Sequence, residues 1–260
     1  MADITSRYQG EVSDEGQQNW RGDQVAAPQG GQSIYKTSSV KLTEIGSRKV
    51  VGDRVFRYAL ASGACGAGDI AETQAASVIN VTAGAILGTV GCKVFNWYSA
   101  TAVSKDYWAD GYLISQSGTA ANQGFTYKIK SHSAIATTST GTLNLYDPIA
   151  HTVDTADNYT IFQNPYANVV EATAEAAIPV GVAPIAVTSG DYFWLQTWGP
   201  TAIKHSAAGV AGNLMAPGAT GEAYDYVVGT TAGNTKKPIG FTLQICTASE
   251  RGFAYVTIAP

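Results

Sequence analysis

Charge is what this chain has least of. Only 14% of its 260 residues are Asp, Glu, Lys or Arg, against about a quarter in an ordinary soluble domain. The net charge is −4, and the adjacent basic pairs are Arg48-Lys49 and Lys236-Lys237. A surface that tracks phosphates needs clustered cations, so no nucleic acid is expected as a partner. The three cysteines, Cys65, Cys92 and Cys246, are widely spaced and form no CxxC. Neither a disulfide framework nor a zinc site is expected, and the thiols read as small buried hydrophobes. The three histidines, His132, His151 and His205, lack a second histidine at ligand spacing, and only Asp154 follows His151 at three residues. They are expected at the surface, with no metal. No apolar run reaches membrane-span length, and the polar start MADITSRYQGEVSDEG has no signal-peptide core, so synthesis in a cytoplasm and no membrane are expected. The sequons Asn80-Val-Thr82 and Asn158-Tyr-Thr160 carry no weight without a secretory route.

Gly, Ala, Ser and Thr fill the space that charge leaves, beside 14 Tyr and 5 Trp. That mix suits sheets joined by tight turns. It also leaves surface to be covered, which implies permanent contact with other subunits, copies of itself included. No helix-period segment of useful length exists, Ala71–Ala76 being the best short candidate. The fold class is therefore all-β: β-sandwich or barrel modules with an extended N-terminal arm. The clearest strand is Tyr192–Trp198, after the Gly190-Asp191 turn. Its alternation puts Tyr192, Trp194, Gln196 and Trp198 on one face and Phe193, Leu195 and Thr197 on the other. Rings on both faces mean that both are covered, so Tyr192, Trp194 and Trp198 are core or subunit-contact residues. Gly199-Pro200 is expected to stop the ladder.

Three regions follow from composition. Residues 1–45 are rich in Gln, Gly and Asp and lack either period. They read as a disordered tail or as an arm that orders on a neighbour, and Tyr8, Trp20 and Tyr35 favour the arm. Residues 46–76 with 164–260 form a main β domain, starting with a hairpin whose turn is Gly52-Asp53. Residues 77–163 form an inserted β module of short strands at 78–81, 90–98, 111–115, 125–130, 142–146 and 159–162, punctuated by Ala109-Asp-Gly111, Ser117-Gly118 and Asp147-Pro148. Further strands are expected at 168–171, 184–188, 223–228, 239–245 and 253–258 in the main domain.

The search for chemistry finds little. Gly63–Gly68 has the glycine content of a phosphate loop but not GxxxxGK[ST]. Asp106 and Asp110 flank Tyr107-Trp108, the spacing of a carboxylate pair around a sugar-binding loop. The plainer reading is an exposed aromatic loop leading into a hairpin turn. Glu171 and Glu175 read as solvated. No nucleophile motif is present, so no catalytic residue and no cofactor are assigned. An enzyme would need a polar pocket around His151 or Asp106, and a glycan-binding module would stack sugars on Trp97, Tyr107 and Trp108.

Several phrases, in order along the chain, carry a resemblance: RKVVGDRVFRYALASG (48–63), DYWADGYLISQSG (106–118), GFTYKIKSHSAIA (124–136), GTLNLYDPI (141–149), QNPYANVV (163–170) and VGVAPIAVTSGDYFWLQTWGP (180–200). As a set they resemble a family of tailed-bacteriophage virion structural proteins from environmental and cyanobacterial phages. The resemblance implies a capsid decoration, or cement, protein on the virion exterior, with the major capsid protein as partner. It implies no catalytic residues. Under it Tyr8, Trp20 and Tyr35 would be capsid-contact anchors. A tail, baseplate or head-fibre component is the alternative within the same class.

Overall fold

A computed structural model describes residues 32–73, 79–82, 87–117, 120–153, 157–173, 178–226 and 238–260. They are almost wholly β, in two antiparallel sheets consistent with a β-sandwich fold. Two compact units are present. The larger is built from the described residues up to Ala71 and from Glu171–Pro260, the smaller from Glu72–Val170, a wider span than the 77–163 module expected.

In chain order, the larger unit begins with β1 (Arg48–Val51), β2 (Arg54–Leu60) and β3 (Ile70–Thr73). The smaller holds β4 (Ile79–Thr82), β5 (Leu87–Gly88), β6 (Val94–Ser99), β7 (Tyr112–Ser117), β8 (Thr126–His132), β9 (Ser139–Leu145) and β10 (Asn158–Phe162). The chain returns through β11 (Val169–Glu171) and β12 (Ile178–Val182). It ends with β13 (Tyr192–Lys204), β14 (Leu214–Pro217), β15 (Ala223–Tyr226), β16 (Gly240–Thr242) and β17 (Arg251–Thr257). Three strand expectations need correction. Residues 71–73 of the Ala71–Ala76 helix candidate are strand, in β3, which lies between β11 and β12 with Ile70 and Ala71 buried; residues 74–76 lie outside the described residues. Residues 184–188 form only an isolated bridge, Cys65 to Val187. Strands β12 and β14 were not anticipated.

In the smaller unit the sheet order is β4-β10-β7-β8-β9-β6-β5. Its core collects alternate residues from each strand: Phe95 and Trp97, Leu113, Tyr127 and Ile129, Leu143 and Leu145, Tyr159 and Ile161. The burial of β9, with Gly141, Leu143 and Leu145 inward, is the period-2 signature of a sheet with one packed face.

In the larger unit β13 is the axis. It pairs with β2 over Tyr192–Trp198 and with β17 over Trp198–Lys204. The register shifts between Gln196 and Trp198, so Thr197 is bulged where the strand changes neighbours. Gly199-Pro200 therefore does not stop the ladder. Pro200 stands opposite Tyr255, and its carbonyl accepts from Gln196 Nε2 at 2.8 Å. A proline is tolerated beside a bulge. Phe193, Trp194 and Leu195 are fully buried while Tyr192 and Trp198 are partly covered.

Residues 32–45 are not a free arm. Ile34 and Ile45 are buried. The Gln32 side chain donates to the carbonyls of Lys36 (2.7 Å) and Tyr192 (2.9 Å) and accepts from Tyr58 Oη at 3.0 Å. Its own carbonyl accepts from Trp194 Nε1 at 3.1 Å. A polar composition hid this strap because one glutamine does the bonding of several backbone groups.

Candidate functional site

The smaller unit contains the Asp106–Asp110 loop, His132 and His151, while Gly63–Gly68, Glu171 and His205 lie in the larger. Asp106 and Asp110 both adopt left-handed backbone (φ 60° and 64°), a conformation Asp tolerates better than most residues. The two reversals fold the loop inward between them. Trp108 is 0% exposed and packs edge-on against Trp97, 4.7 Å between ring centroids, while Tyr107 is left 43% exposed. The expected exposed aromatic pair is thus corrected: Trp108 and Trp97 belong to the core, and a sugar-stacking platform of three rings does not exist. The signal was available in Asp at both ends of the DYWAD loop.

The carboxylates are equally committed. Asp106 Oδ1 accepts the His132 backbone N–H at 2.9 Å. Asp110 is buried and accepts from Tyr146 Oη at 3.4 Å. Asp106 is otherwise exposed, so the two carboxylates stand in different environments, one at the surface and one in the core.

All three histidines are buried, against the surface expectation. His132 Nε2 accepts from the Trp108 N–H at 3.0 Å, so Nδ1 carries the proton and donates to the Ser133 carbonyl at 2.7 Å. Burial pushes its pKa down, against the Ser133 carbonyl and Asp106. His151 lies between the hydroxyls of Tyr127 (2.8 Å) and Tyr159 (2.9 Å) and stacks on Phe125 at 4.4 Å. Burial again lowers its pKa, with Asp157 opposing. These imidazoles pin backbone and aromatic groups in place. Asp154, the ligand partner weighed for His151, lies outside the described residues, as does Glu175.

In the larger unit the Gly66 N–H donates to Asp69 Oδ2 at 2.7 Å, so the chain's own carboxylate takes a donor that a phosphate would need. Glu171 is not simply solvated: burial, then Asp69, raises its pKa, with Lys204 lowering it and Glu222 raising it. Burial, then Asp69 and Glu171, pushes the Cys65 thiol up to about 12. Cys92 is exposed and Cys246 buried. Among the described residues no group of three or more His, Cys, Asp or Glu is placed to hold a metal.

The feature left uncovered is a sheet face. Alternation in β17 turns Gly252, Ala254 and Val256 inward and Phe253 and Tyr255 outward. Leu214, Phe241, Tyr255 and Pro200 are successive partners in register across β14, β16, β17 and β13. The Phe241 and Tyr255 rings stand parallel at 5.4 Å, and Trp198 meets Tyr255 edge-on at 6.0 Å. Leu243 continues the face, its N–H bonded to the Phe253 carbonyl at 2.8 Å. Phe253 is 47% exposed, and nearby Ile245 is 72% exposed. Arg251 stands at its border in register with Lys204, and its Nε donates to the Ala67 carbonyl at 2.6 Å. A contiguous apolar face of this kind marks an interaction surface more often than a single exposed leucine does. Sequence reasoning read 253–258 as an apolar alternating strand paired inside a sheet, and alternation alone does not tell that one of its faces is open.

Of the anchors named from sequence, Tyr35 is exposed and its hydroxyl accepts from Arg54 Nη1 at 3.1 Å. Tyr8 and Trp20 lie outside the described residues. Trp194 is core, Tyr192 stacks on Tyr58 at 5.8 Å, and Trp198 borders the open face. Comparison of the chain with protein-family models, with curated proteins and with solved structures finds no match.

Proposed function

We propose that the chain is a virion structural protein of a tailed phage, a decoration protein that binds the outer surface of the major capsid protein lattice. The observation that carries the reading is the open face of Leu214, Phe241, Leu243, Phe253 and Tyr255 on an otherwise well-packed all-β unit. The phage-like phrases along the chain supply the partner. A cement protein needs rigid sheets and an adhesive surface, not a charged cleft. Lattice symmetry repeats each contact, so one modest apolar face per copy suffices. The glycan-attachment reading loses its platform because Trp97 and Trp108 are core residues.

The test mixes the purified protein with heads that lack it and reads the saturation copy number. The expected result is a number related to the lattice. A Leu243→Ser, Phe253→Ser double variant is expected to keep its stability within about 1 kcal/mol, as exposed substitutions do. Its affinity should fall about 30-fold or more, the cost of losing buried interface anchors. A chain without residues 1–31 tests the arm and spares the Gln32 strap. No binding to heads sinks the decoration reading and moves the protein to the tail, baseplate or a head fibre. Head binding that ignores the double variant sinks the assignment of this face.

A further inference from the structure

His205 differs from the other two histidines. It is 0% exposed, yet among the described residues neither Nδ1 nor Nε2 has a hydrogen-bond partner. His132 and His151 have both ring nitrogens bonded at 2.7–3.0 Å. Burying a donor or acceptor unpaired costs about 1–3 kcal/mol per group, and such a group calls for an ion or water to account for it.

Cys246 is beside it. A Cβ on Gly209 would stand 2.8 Å from His205 Nδ1 and 3.0 Å from Cys246 Sγ. A Cβ on Gly252 would stand 2.7 Å from Cys246 Sγ and 3.2 Å from His205 Cδ2. Neither glycine has a left-handed φ, so room for the pair, not backbone conformation, demands glycine at both positions. The backbones are pinned as well. The His205 N–H donates to the Glu250 carbonyl at 3.0 Å, its carbonyl accepts from Ser249 at 2.7 Å, and Gly209 donates to the Cys246 carbonyl at 3.1 Å.

We infer that His205 and Cys246 form a two-donor site for a soft monovalent cation, Cu(I) by chemical class. This goes beyond the decoration reading and does not depend on it. Tetrahedral zinc needs four ligands, and two are here. Thiolate and imidazole suit Cu(I), which accepts two-coordination. Charge favours the same ion. A thiolate, a neutral imidazole and a monovalent cation sum to zero, which a fully buried site tolerates, whereas a divalent ion would leave a buried positive charge. The Asp225 carboxylate is already engaged: Oδ2 accepts from the Val210 N–H at 2.9 Å and from Asn213 Nδ2 at 3.0 Å. A buried water fits less well, because it wants two to four good polar partners and a thiol is a weak one. Binding displaces the Cys246 proton to solvent and forms one Cu–S and one Cu–N bond.

The test uses the full chain with Cys92→Ser, which removes the exposed thiol. Anaerobic titration with Cu(I) against a chromogenic chelator should show one tight equivalent. Cys246→Ser and His205→Gln should each weaken it at least tenfold. X-ray absorption on the protein with both residues intact should read one sulfur and one imidazole nitrogen, which keeps the test valid if a variant fails to fold. No retained Cu(I) overturns the assignment, as does sulfur-only coordination or affinity indifferent to His205→Gln.

Discussion

Gly240→Ala is the sharpest single test of the larger unit's packing. Gly240 opens β16 with φ +153°, a region in which side chains are rarely found. A Cβ there would fall inside contact distance of the Tyr255 carbonyl oxygen, 2.9 Å from its carbon and 3.0 Å from Val256 Cα. All three are backbone atoms of the neighbouring strand, so no side-chain rotation relieves the clash. The conformational cost is about 1–3 kcal/mol, and forcing the strands apart adds about 1–3 kcal/mol. Gly190 is the control: its φ is +91°, but nothing lies within 4 Å of its Cβ position. Alanine there costs about 1–2 kcal/mol, from conformation alone. A central loss of about 4 kcal/mol for Gly240→Ala lowers the melting temperature of a unit this size by about 8–16 °C, against about 2–8 °C for Gly190→Ala. Scanning calorimetry on both variants reads the difference. The same variant should displace Phe241 from Tyr255 and weaken head binding along with stability. Equal losses at the two glycines would refute the steric reasoning.

The remaining expectations are quickly tested. Burial lowers the pKa of His132, His151 and His205. The unfolded chain thus takes up protons near pH 6.5 before the folded one does, and stability falls as pH drops below about 6.5. Glu171 works the other way, its raised carboxyl restoring some stability between its folded value and the ordinary 4.5. Urea midpoints that stay level from pH 8 to 5 would contradict the histidine assignment. Trp108→Ala should cost about 3–5 kcal/mol as a cavity, whereas Tyr107→Ala should cost under about 1 kcal/mol; denaturant titration separates them. Gln32→Ala leaves the buried Tyr58 O–H without its acceptor, while the Tyr192 carbonyl keeps the Ser38 N–H, and should cost about 1–3 kcal/mol by the same assay. Alkylation followed by mass spectrometry should label Cys92 in the folded protein and Cys65, pushed up to about 12 and buried, only on unfolding.

The sequence by itself determined the local elements. Alternation in 192–198 and 253–258, turn residues at Gly52-Asp53, and the lack of a 3.6 period made an all-β chain legible. They act over a few residues, where backbone sterics and side-chain direction decide. Tertiary structure decided what those elements meet. Whether Trp108 faces water or Trp97 depends on a partner strand distant in sequence. The same holds for His151, which fills the gap between Tyr127 and Tyr159, and for Gln32, which reaches Tyr58 and Tyr192. Pro200 survives inside β13 because a bulge at Thr197 hands the strand from β2 to β17. Period 2 tells which residues share a face of a sheet, but coverage of that face is a property of the neighbours. That is why β17 reads apolar on both sides, yet leaves Phe253 and Tyr255 outward while Ala254 and Val256 are buried.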